Sequence, residues 1–254
     1  MADRLDGTVA LVTGASSGIG EAAAMSLAEQ GAAIAVVARR KDRLDSLASD
    51  IEDAGGKALA IEADVTEQHQ AIDAVEQTVS ELGRLDTVFN NAGVMLNGPI
   101  EGAPTEEWDR MVDLNVKGLL YVAHAALPHL LRAAEGGPRN VADLVNTSSV
   151  AGRRASSGTA VYNMTKFGVG AFSEGLRQEV TKRHLRVSLV EPGAVRTELQ
   201  SHLRDEIRAR SEERFASMEV LRAEDIADAV TYIVTRPRHI AINEILIRPT
   251  EQEN

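Results

Sequence analysis

The stretch that decides the fold is "TVALVTGASSGIG", residues 8 to 20. It opens with a run of apolar and β-branched residues, which is typical of a buried strand, and it leads into a helical pattern from about residue 19 to residue 30. Between them, Gly14, Gly18 and Gly20 are spaced as G-x-x-x-G-x-G. Glycines at a strand-to-helix turn let the backbone approach a pyrophosphate, and the helix N-terminus offers unpaired N–H groups. The stretch therefore predicts a dinucleotide cradle made of Gly14, Ser16, Ser17, Gly18, Ile19 and Gly20.

Similar strand patterns recur along the rest of the chain. They lie at residues 33–38, 57–63, 85–91, 142–149, 185–192 and 242–249, separated mostly by helical patterns. Apolar strands that alternate with helices indicate a parallel sheet covered on both faces, because right-handed crossovers require that layering. We expect a doubly wound α/β fold of the Rossmann type, with a seven-stranded parallel sheet and helices on both faces. Nothing divides the chain, so residues 1–254 are predicted to form a single domain.

Composition narrows the class of protein. The 254 residues include no cysteine, which excludes disulfides, thiolate catalysis and zinc-thiolate sites. The six histidines are dispersed, so we expect no metal site. A net charge of −11 argues against nucleic acid and anionic membranes as partners. No apolar run approaches the length of a membrane span, and the first residues do not resemble a signal peptide, so a cytoplasmic location is expected.

The end of the second strand bears on the choice of cofactor. Sheets that bind NAD usually place an acidic residue there for the ribose 2′-hydroxyl, whereas a nearby arginine accommodates the 2′-phosphate of NADP. This chain has Ala38 followed by Arg39 and Arg40. The arginines favour NADP(H). The alternative is that they belong to an ordinary run of charged residues exposed to solvent. Asp64, after the third strand, either contacts the adenine or caps the next helix.

A phenol and an ammonium group are paired in "YNMTK", residues 162 to 166. Residues four apart on a helix are surface neighbours, so Tyr162 and Lys166 are expected to project toward one point. A nearby cation favours the phenolate and lowers the pKa of a tyrosine, which suits a general acid or base. Taken alone, a motif of this kind is more often a packed tyrosine and a solvated lysine.

Six motifs in this order resemble those of the short-chain dehydrogenases/reductases. They are "TGASSGIG", "NNAG" (90–93), "NVKG" (115–118), "NTSS" (146–149), "YNMTK" and "EPGAVRT" (191–197), and the resemblance extends from Leu5 to Pro249. It implies a nicotinamide cofactor and a catalytic tetrad of Asn115, Ser149, Tyr162 and Lys166. Further cofactor contacts are implied at Val65, Asn91, Ala92, Gly93, Pro192, Gly193, Val195 and Thr197, besides Tyr162 and Lys166.

The resemblance also implies a role for each member of the tetrad. Ser149 would donate to the substrate carbonyl oxygen and Tyr162 would give that oxygen its proton. Lys166 would lower the pKa of the tyrosine and hold the nicotinamide ribose, and Asn115 would bend its helix and anchor a water. Ser148 competes with Ser149 for the catalytic position. Alternatively, Asn115 makes only a local side-chain hydrogen bond to the backbone, and Thr197 only caps the following helix.

The segment after "EPGAVRT" occupies the place of the family's substrate lid, which we expect at residues 194–221. Leu199, Leu203, Ile207 and Arg210 recur in it at helical spacing, so a plain amphipathic surface helix is the alternative.

We expect an NADP(H)-dependent enzyme that reduces an aldehyde or ketone, or oxidises the corresponding alcohol, with a small molecule as substrate. "NNAGVMLNGPIE", "FSEGLRQEVT" and "NEILIRPTEQ" resemble the clavulanic acid dehydrogenases and, more loosely, the NADP-dependent 3-hydroxy acid dehydrogenases. A serine-type 3-hydroxy acid dehydrogenase and a non-catalytic NADP(H) sensor are the alternatives.

The resemblance further implies a homotetramer built on helices at about 105–132 and 160–184, with a dimer as second choice.

Overall fold

A single parallel sheet forms the centre of the computed structural model, which describes residues 4–253, without the side chains of Arg210 and Arg214. Seven strands pair in the order β3-β2-β1-β4-β5-β6-β7, and every pairing is parallel. They are β1 (Val9–Thr13), β2 (Ala33–Ala38), β3 (Lys57–Glu62), β4 (Thr87–Asn90), β5 (Ala142–Thr147), β6 (Leu185–Pro192) and β7 (Glu244–Ile247). The predicted fold class is confirmed.

Helices cover both faces of this sheet. They are α1 (Gly18–Glu29), α2 (Lys41–Asp53), α3 (Gln68–Leu82), α4 (Thr105–Val112), α5 (Leu119–Gly136), α6 (Ala160–Val180), α7 (Asp205–Ala216) and α8 (Ala223–Val234). Side chains alternate between the faces, as the strand period of two requires. In β1, Val9 and Leu11 pack with the core beneath α3 and α5, whereas Ala10 and Val12 pack with the core beneath α1 and α8.

One local feature differs from the sequence-based expectations. The predicted helix from about residue 105 to residue 132 is interrupted by a π-helical turn at Asp113–Gly118, between α4 and α5. Such turns often occur at functional sites, and this one contains Asn115.

The topology places a crevice above the centre of the sheet. Strand order reverses between β1 and β4, and in open α/β sheets ligands bind outside the carboxyl ends of the strands at such a point. Within residues 4–253, no helix is both long and apolar enough to cross a membrane.

Candidate active site

The glycine-rich turn after β1 leaves no room for side chains at Gly14 and Gly20. A Cβ atom on Gly14 would lie 2.9 Å from Ala92 Cα, and one on Gly20 would lie 2.4 Å from the Gly14 carbonyl oxygen. Gly14 and Gly18 also have φ angles of 66° and 59°, a region that favours glycine. Ser17, the N-cap of α1, makes no side-chain cap hydrogen bond, so the first N–H groups of the helix are left for another partner. This geometry fits the phosphates of a dinucleotide.

The turn opens into a cavity of about 830 Å³ at the carboxyl ends of the strands. All the predicted cofactor residues except Gly20 line it: Gly14, Ser16, Ser17, Gly18, Ile19, Arg39, Arg40, Asp64, Val65, Asn91, Ala92, Gly93, Tyr162, Lys166, Pro192, Gly193, Val195 and Thr197. Ser149 lines the same cavity, whereas Gly20 packs behind the turn and Asn115 is buried behind the wall. The fold therefore brings residues from both halves of the chain to one cavity.

The two candidate serines after β5 have different surroundings. Ser148 is buried, and its hydroxyl donates to the Lys166 carbonyl oxygen at 3.1 Å. Ser149 is less buried and begins the short 3₁₀ turn at Val150–Gly152, where its Oγ accepts from the Ala151 N–H at 3.1 Å. Its hydroxyl also donates to the Pro192 carbonyl oxygen at 3.3 Å. The arrangement favours Ser149 as the hydroxyl available to a ligand.

Tyr162 and Lys166 are both buried at the N-terminal end of α6. The Lys166 Nζ lies 5.8 Å from the centre of the Tyr162 ring and donates to the Thr147 carbonyl oxygen at 2.8 Å. Burial raises the pKa of Tyr162 to about 12, although a hydrogen bond with Ser149 acts in the opposite direction. Burial also lowers the pKa of Lys166 to about 8.

These shifts correct one expectation. The sequence suggested that the ammonium group lowers the pKa of Tyr162, whereas in the protein alone the pKa of Tyr162 is raised. The physical reason is that removing either group from water disfavours its charged form, and this cost dominates for both. At neutral pH the phenol is accordingly protonated and able to donate.

Asn115 holds two elements together behind the cavity. Its Oδ1 accepts from the Val94 N–H at 2.8 Å, and its Nδ2 donates to the Val94 carbonyl oxygen at 2.8 Å. The same Nδ2 donates to the Thr165 hydroxyl at 3.3 Å. The side chain thus joins the loop after β4 to the helix that carries Tyr162.

The two arginines after β2 differ in their contacts. Arg40 donates to the hydroxyls of Ser16 and Ser17, at 3.0 and 2.8 Å, and pairs with Glu198 at 2.8 Å. Arg39 is 68% exposed and lies 3.7 Å from the Asp64 carboxylate. Both side chains border the cradle, which is the position from which an arginine could bind a 2′-phosphate.

Asp64 and Thr197 each combine a structural role with a place on the cavity wall. Asp64 Oδ1 accepts from the Thr66 N–H and hydroxyl, which closes a turn before α3 rather than capping that helix directly. The Thr197 hydroxyl accepts from the Leu199 N–H at 3.3 Å and caps the 3₁₀ turn Glu198–His202.

The predicted lid segment is not one continuous helix. The 3₁₀ turn is followed by α7, with a break at Leu203 and Arg204. Leu199, Leu203 and Ile207 line the cavity, as the lid interpretation requires; the side chain of Arg210 lies outside the described part.

Sequence reasoning missed several residues of the cavity wall. Arg154 lies between Ser149 and Tyr162, where the loop length was the available signal, and Asn163 lies inside "YNMTK", where its place next to Tyr162 was the signal. Gln252 also lines the cavity, and no motif near the C-terminus indicated it. Among the described residues, no group of three or more histidine, aspartate or glutamate side chains is arranged to hold a metal ion.

Fold and cavity define a Rossmann-type protein with a dinucleotide cradle, and comparison with known proteins identifies its family. The family model described as short chain dehydrogenase matches residues 8–208. The chain belongs to this family. An uncharacterized oxidoreductase of Staphylococcus epidermidis is 36% identical over 241 residues, which covers 95% of this chain and 96% of that protein. One of Staphylococcus saprophyticus is 36% identical over 248 residues and 96% of each chain.

Solved structures of three related enzymes are similar over almost the whole chain. The closed form of serine dehydrogenase complexed with NADP+ has a TM-score of 0.88 at 30% identity and covers 97% of both chains. An alcohol dehydrogenase of Thermococcus sibiricus, complexed with 5-hydroxy-NADP, has a TM-score of 0.84 at 26% identity, with 97% of this chain and 98% of that chain covered. A 3-ketoacyl-(acyl-carrier-protein) reductase of Brucella melitensis, complexed with NADH, has a TM-score of 0.83 at 30% identity, with 96% and 98% covered.

Proposed function

We propose that this protein is an NADPH-dependent reductase that transfers hydride to the carbonyl group of a small aldehyde or ketone, and that it also runs in reverse. The observation that carries the proposal is the meeting of Ser149, Tyr162 and Lys166 in one cavity with the glycine-rich cradle. A protein that only bound the nucleotide would have no need of a buried phenol and a hydroxyl placed together at the far end of that cavity.

The residues of the chain suit each step of such a reduction. A nicotinamide cofactor in its reduced form supplies the hydride. Ser149 orients the substrate carbonyl and stabilises the negative charge that develops on its oxygen. Tyr162 donates a proton to that oxygen, and its pKa of about 12 keeps it protonated beforehand. Lys166 holds the ribose and stabilises the phenolate that remains, while Asn115 positions the surrounding elements.

The preference for NADPH rests on Arg39 and Arg40. Arg40 already contacts Ser16 and Ser17 of the cradle, so a 2′-phosphate near the ribose would meet a positioned guanidinium group. Two of the three structural neighbours described above were solved with NADP+ or a derivative of NADP. The cradle itself would be formed by Gly14, Gly18 and the N-terminus of α1.

The test is the loss of NADPH absorbance with wild-type protein and Tyr162→Phe across a panel of aldehydes, ketones, diketones and 3-keto acids, with NADH in parallel. We expect turnover with NADPH preferred, and a loss of at least about a hundredfold in kcat for Tyr162→Phe, since general acid catalysis typically contributes that much. NADPH affinity should stay within about threefold, measured by fluorescence titration. Wild-type turnover retained by Tyr162→Phe would exclude the mechanism.

A second candidate is a dehydrogenase of 3-hydroxy acids such as serine, using the same residues in the oxidative direction. It is favoured by the similarity to serine dehydrogenase and by a basic side chain, Arg154, on the cavity wall. The sequence stretches that resemble those of clavulanic acid dehydrogenases instead support reduction of an aldehyde or ketone. Reduction of NADP+ by hydroxy acids, with none of the panel carbonyls turned over, would select the dehydrogenase. Tight NADPH binding without turnover of either kind would leave a narrow substrate outside the panel or the sensor, and would favour the sensor.

The same proposal extends to the location, the oligomeric state and the domain organisation of the protein. We place the protein in the cytoplasm as a homotetramer, with a dimer as second choice, and treat residues 1–254 as one domain with a substrate lid at 194–221. The exposed Met164 and Phe167 on α6 support self-association through that helix.

A further inference from the structure

The chain folds back on itself after β7. Residues 249–253, which form a short strap, begin at the buried Pro249, and the Gln252 N–H donates to the Pro249 carbonyl oxygen at 3.0 Å. This turn directs the side chains of Glu251 and Gln252 toward the lid, residues 194–221.

Gln252 is hydrogen-bonded to the first residue of the lid. Its Oε1 accepts from the Ala194 N–H at 2.8 Å. A Cβ atom on Gly193 would lie too close to the same oxygen, so the amide group sits directly against the backbone of the loop. That loop also carries Pro192 and Val195, which line the cavity at the catalytic end. The strap therefore contacts the backbone that the proposed function assigns to nicotinamide binding.

Glu251 is hydrogen-bonded to the other end of the lid. Its Oε2 accepts from the Glu219 N–H at 2.9 Å. The two ends are also joined to each other, since the Leu221 N–H donates to the Ala194 carbonyl oxygen at 3.0 Å and the Arg196 N–H donates to the Leu221 carbonyl oxygen at 2.8 Å. Adjacent strap side chains thus hold both ends of the segment that covers the cavity.

Between these ends, ion pairs attach the lid to the rest of the molecule. Arg204 lies 3.2 Å from Glu107, and Glu198 pairs with Arg40 at 2.8 Å. Partly exposed pairs of this kind stabilise a structure only weakly. We propose that Gln252 is a positioning residue: it fixes the loop at 192–197 through the Ala194 N–H, and together with Glu251 it sets how often the lid opens. The effect on cofactor binding rests on the proposed function; the effect on lid opening does not.

The first test measures lid opening in the full chain without cofactor. Trypsin cleavage after Arg208, in α7, is followed by mass spectrometry for wild type, Gln252→Leu, Gln252→Glu and Glu253→Gln. Gln252→Leu removes the acceptor, and we expect cleavage about tenfold faster, because limited proteolysis follows the population of the locally open state. Gln252→Glu keeps an acceptor oxygen and should stay within about twofold of wild type. Glu253→Gln is the matched control, since Glu253 is an exposed neighbour in the same strap.

Two results would overturn the proposal. If Gln252→Leu is cleaved at the wild-type rate, the Ala194 contact does not restrain the lid. If Gln252→Glu is cleaved as fast as Gln252→Leu, loss of the acceptor oxygen is not the cause of the faster cleavage. A second measurement, the NADPH dissociation constant by fluorescence titration, should rise about fivefold for Gln252→Leu and remain unchanged for Glu253→Gln, because only the first loosens the loop. If wild type fails to bind NADPH, the proposed function fails, whereas the cleavage rates still decide the role of the strap.

Discussion

At the scale of single residues, the site depends on burying two groups that prefer to be charged or solvated. Tyr162 and Lys166 occupy successive turns of α6, and burial shifts the pKa of the first to about 12 and that of the second to about 8. Both shifts move the groups toward their neutral forms. A buried lysine that is easily neutralised, next to a protonated phenol, makes the stability of the protein depend on pH in a way that can be measured.

Lys166 should make the protein more stable as the pH rises above 8. Its pKa is lowered to about 8 in the folded chain from an ordinary value of 10.5, so between these values the unfolded state binds more protons. Unfolding free energy therefore increases with pH across this window, whereas well below pH 8 both states are protonated and the slope vanishes. We expect wild type to gain about 2 kcal/mol relative to Lys166→Met between about pH 7.5 and 9.5, measured by urea unfolding.

Tyr162→Phe provides the control for this window. The raised pKa of Tyr162 changes stability only between about pH 10 and 12, where the folded state retains the proton that the unfolded state has lost, so stability falls there. Tyr162→Phe should consequently show the same gain as wild type up to about pH 9.5. Parallel curves for wild type and Lys166→Met would contradict the pKa shift of the lysine.

At the scale of elements, α6 carries the proposed catalytic pair and also holds the loop at 151–159. Asn163, buried beside Tyr162, donates through Nδ2 to the carbonyl oxygens of Ala151 at 2.6 Å and Arg154 at 2.9 Å. Its Oδ1 accepts from the Thr159 hydroxyl at 2.5 Å and from the Ser156 N–H at 3.3 Å. One side chain thus joins the loop that forms part of the cavity wall to the helix that carries the proposed proton donor.

Asn163→Asp should affect substrate binding more than cofactor binding. The substitution keeps the size of the side chain but places a carboxylate opposite two carbonyl oxygens, so both donated hydrogen bonds are lost. We expect the KM for the carbonyl substrate to rise at least about tenfold, with NADPH affinity within about twofold. Steady-state kinetics and fluorescence titration provide the two values.

Asn146→Asp is the matched control for that experiment. Asn146 is also buried, and its Nδ2 donates to the Ser173 hydroxyl at 2.9 Å, on the sheet side of α6. Both variants should lower the melting temperature, but only Asn163→Asp should raise KM. An equal rise in KM for the two variants would mean that general destabilisation is responsible.

The elements were predictable to different degrees. β2 and β6 have the predicted bounds, because their apolar runs coincide with the paired residues. β4 is shorter than predicted, because strand pairing begins only at Thr87 and ends at Asn90. The π-helical turn around Asn115 could not be read from helical periodicity. The contact of Gln252 with Ala194 spans 58 residues and depends on the turn at Pro249, so no local pattern indicates it.

At the scale of the whole molecule, acidic charge and a local basic site coexist. The net charge is −11, yet Arg39 and Arg40 border the cradle. An anionic cofactor is repelled at long range and attracted only close to the site, where hydrogen bonds define its orientation. Nearly all the residues that the motifs predicted line this cavity, because the motifs mark strand ends, and parallel strands bring their carboxyl ends to one edge.

The outer face of α6 links the site to assembly. Met164 and Phe167 lie three residues apart on this helix and are 56% and 43% exposed, whereas Tyr162 and Lys166 on the same helix are buried in the cavity wall. Large apolar side chains exposed side by side indicate an interaction surface. If two copies of α6 meet in a homo-oligomer, each α6 packs against its partner through the face that carries Met164 and Phe167.

Phe167→Glu should therefore reduce the molecular mass in solution. A carboxylate at the centre of an apolar contact between copies would be buried without a partner, which costs several kcal/mol per interface. By sedimentation velocity we expect wild type to sediment as a tetramer, or as a dimer, and Phe167→Glu as a smaller species. Ile100→Glu is the control, because Ile100 is 53% exposed but lies in the loop after β4, away from α6. A wild-type mass equal to one chain would refute self-association, and an unchanged mass for Phe167→Glu would place the interface elsewhere.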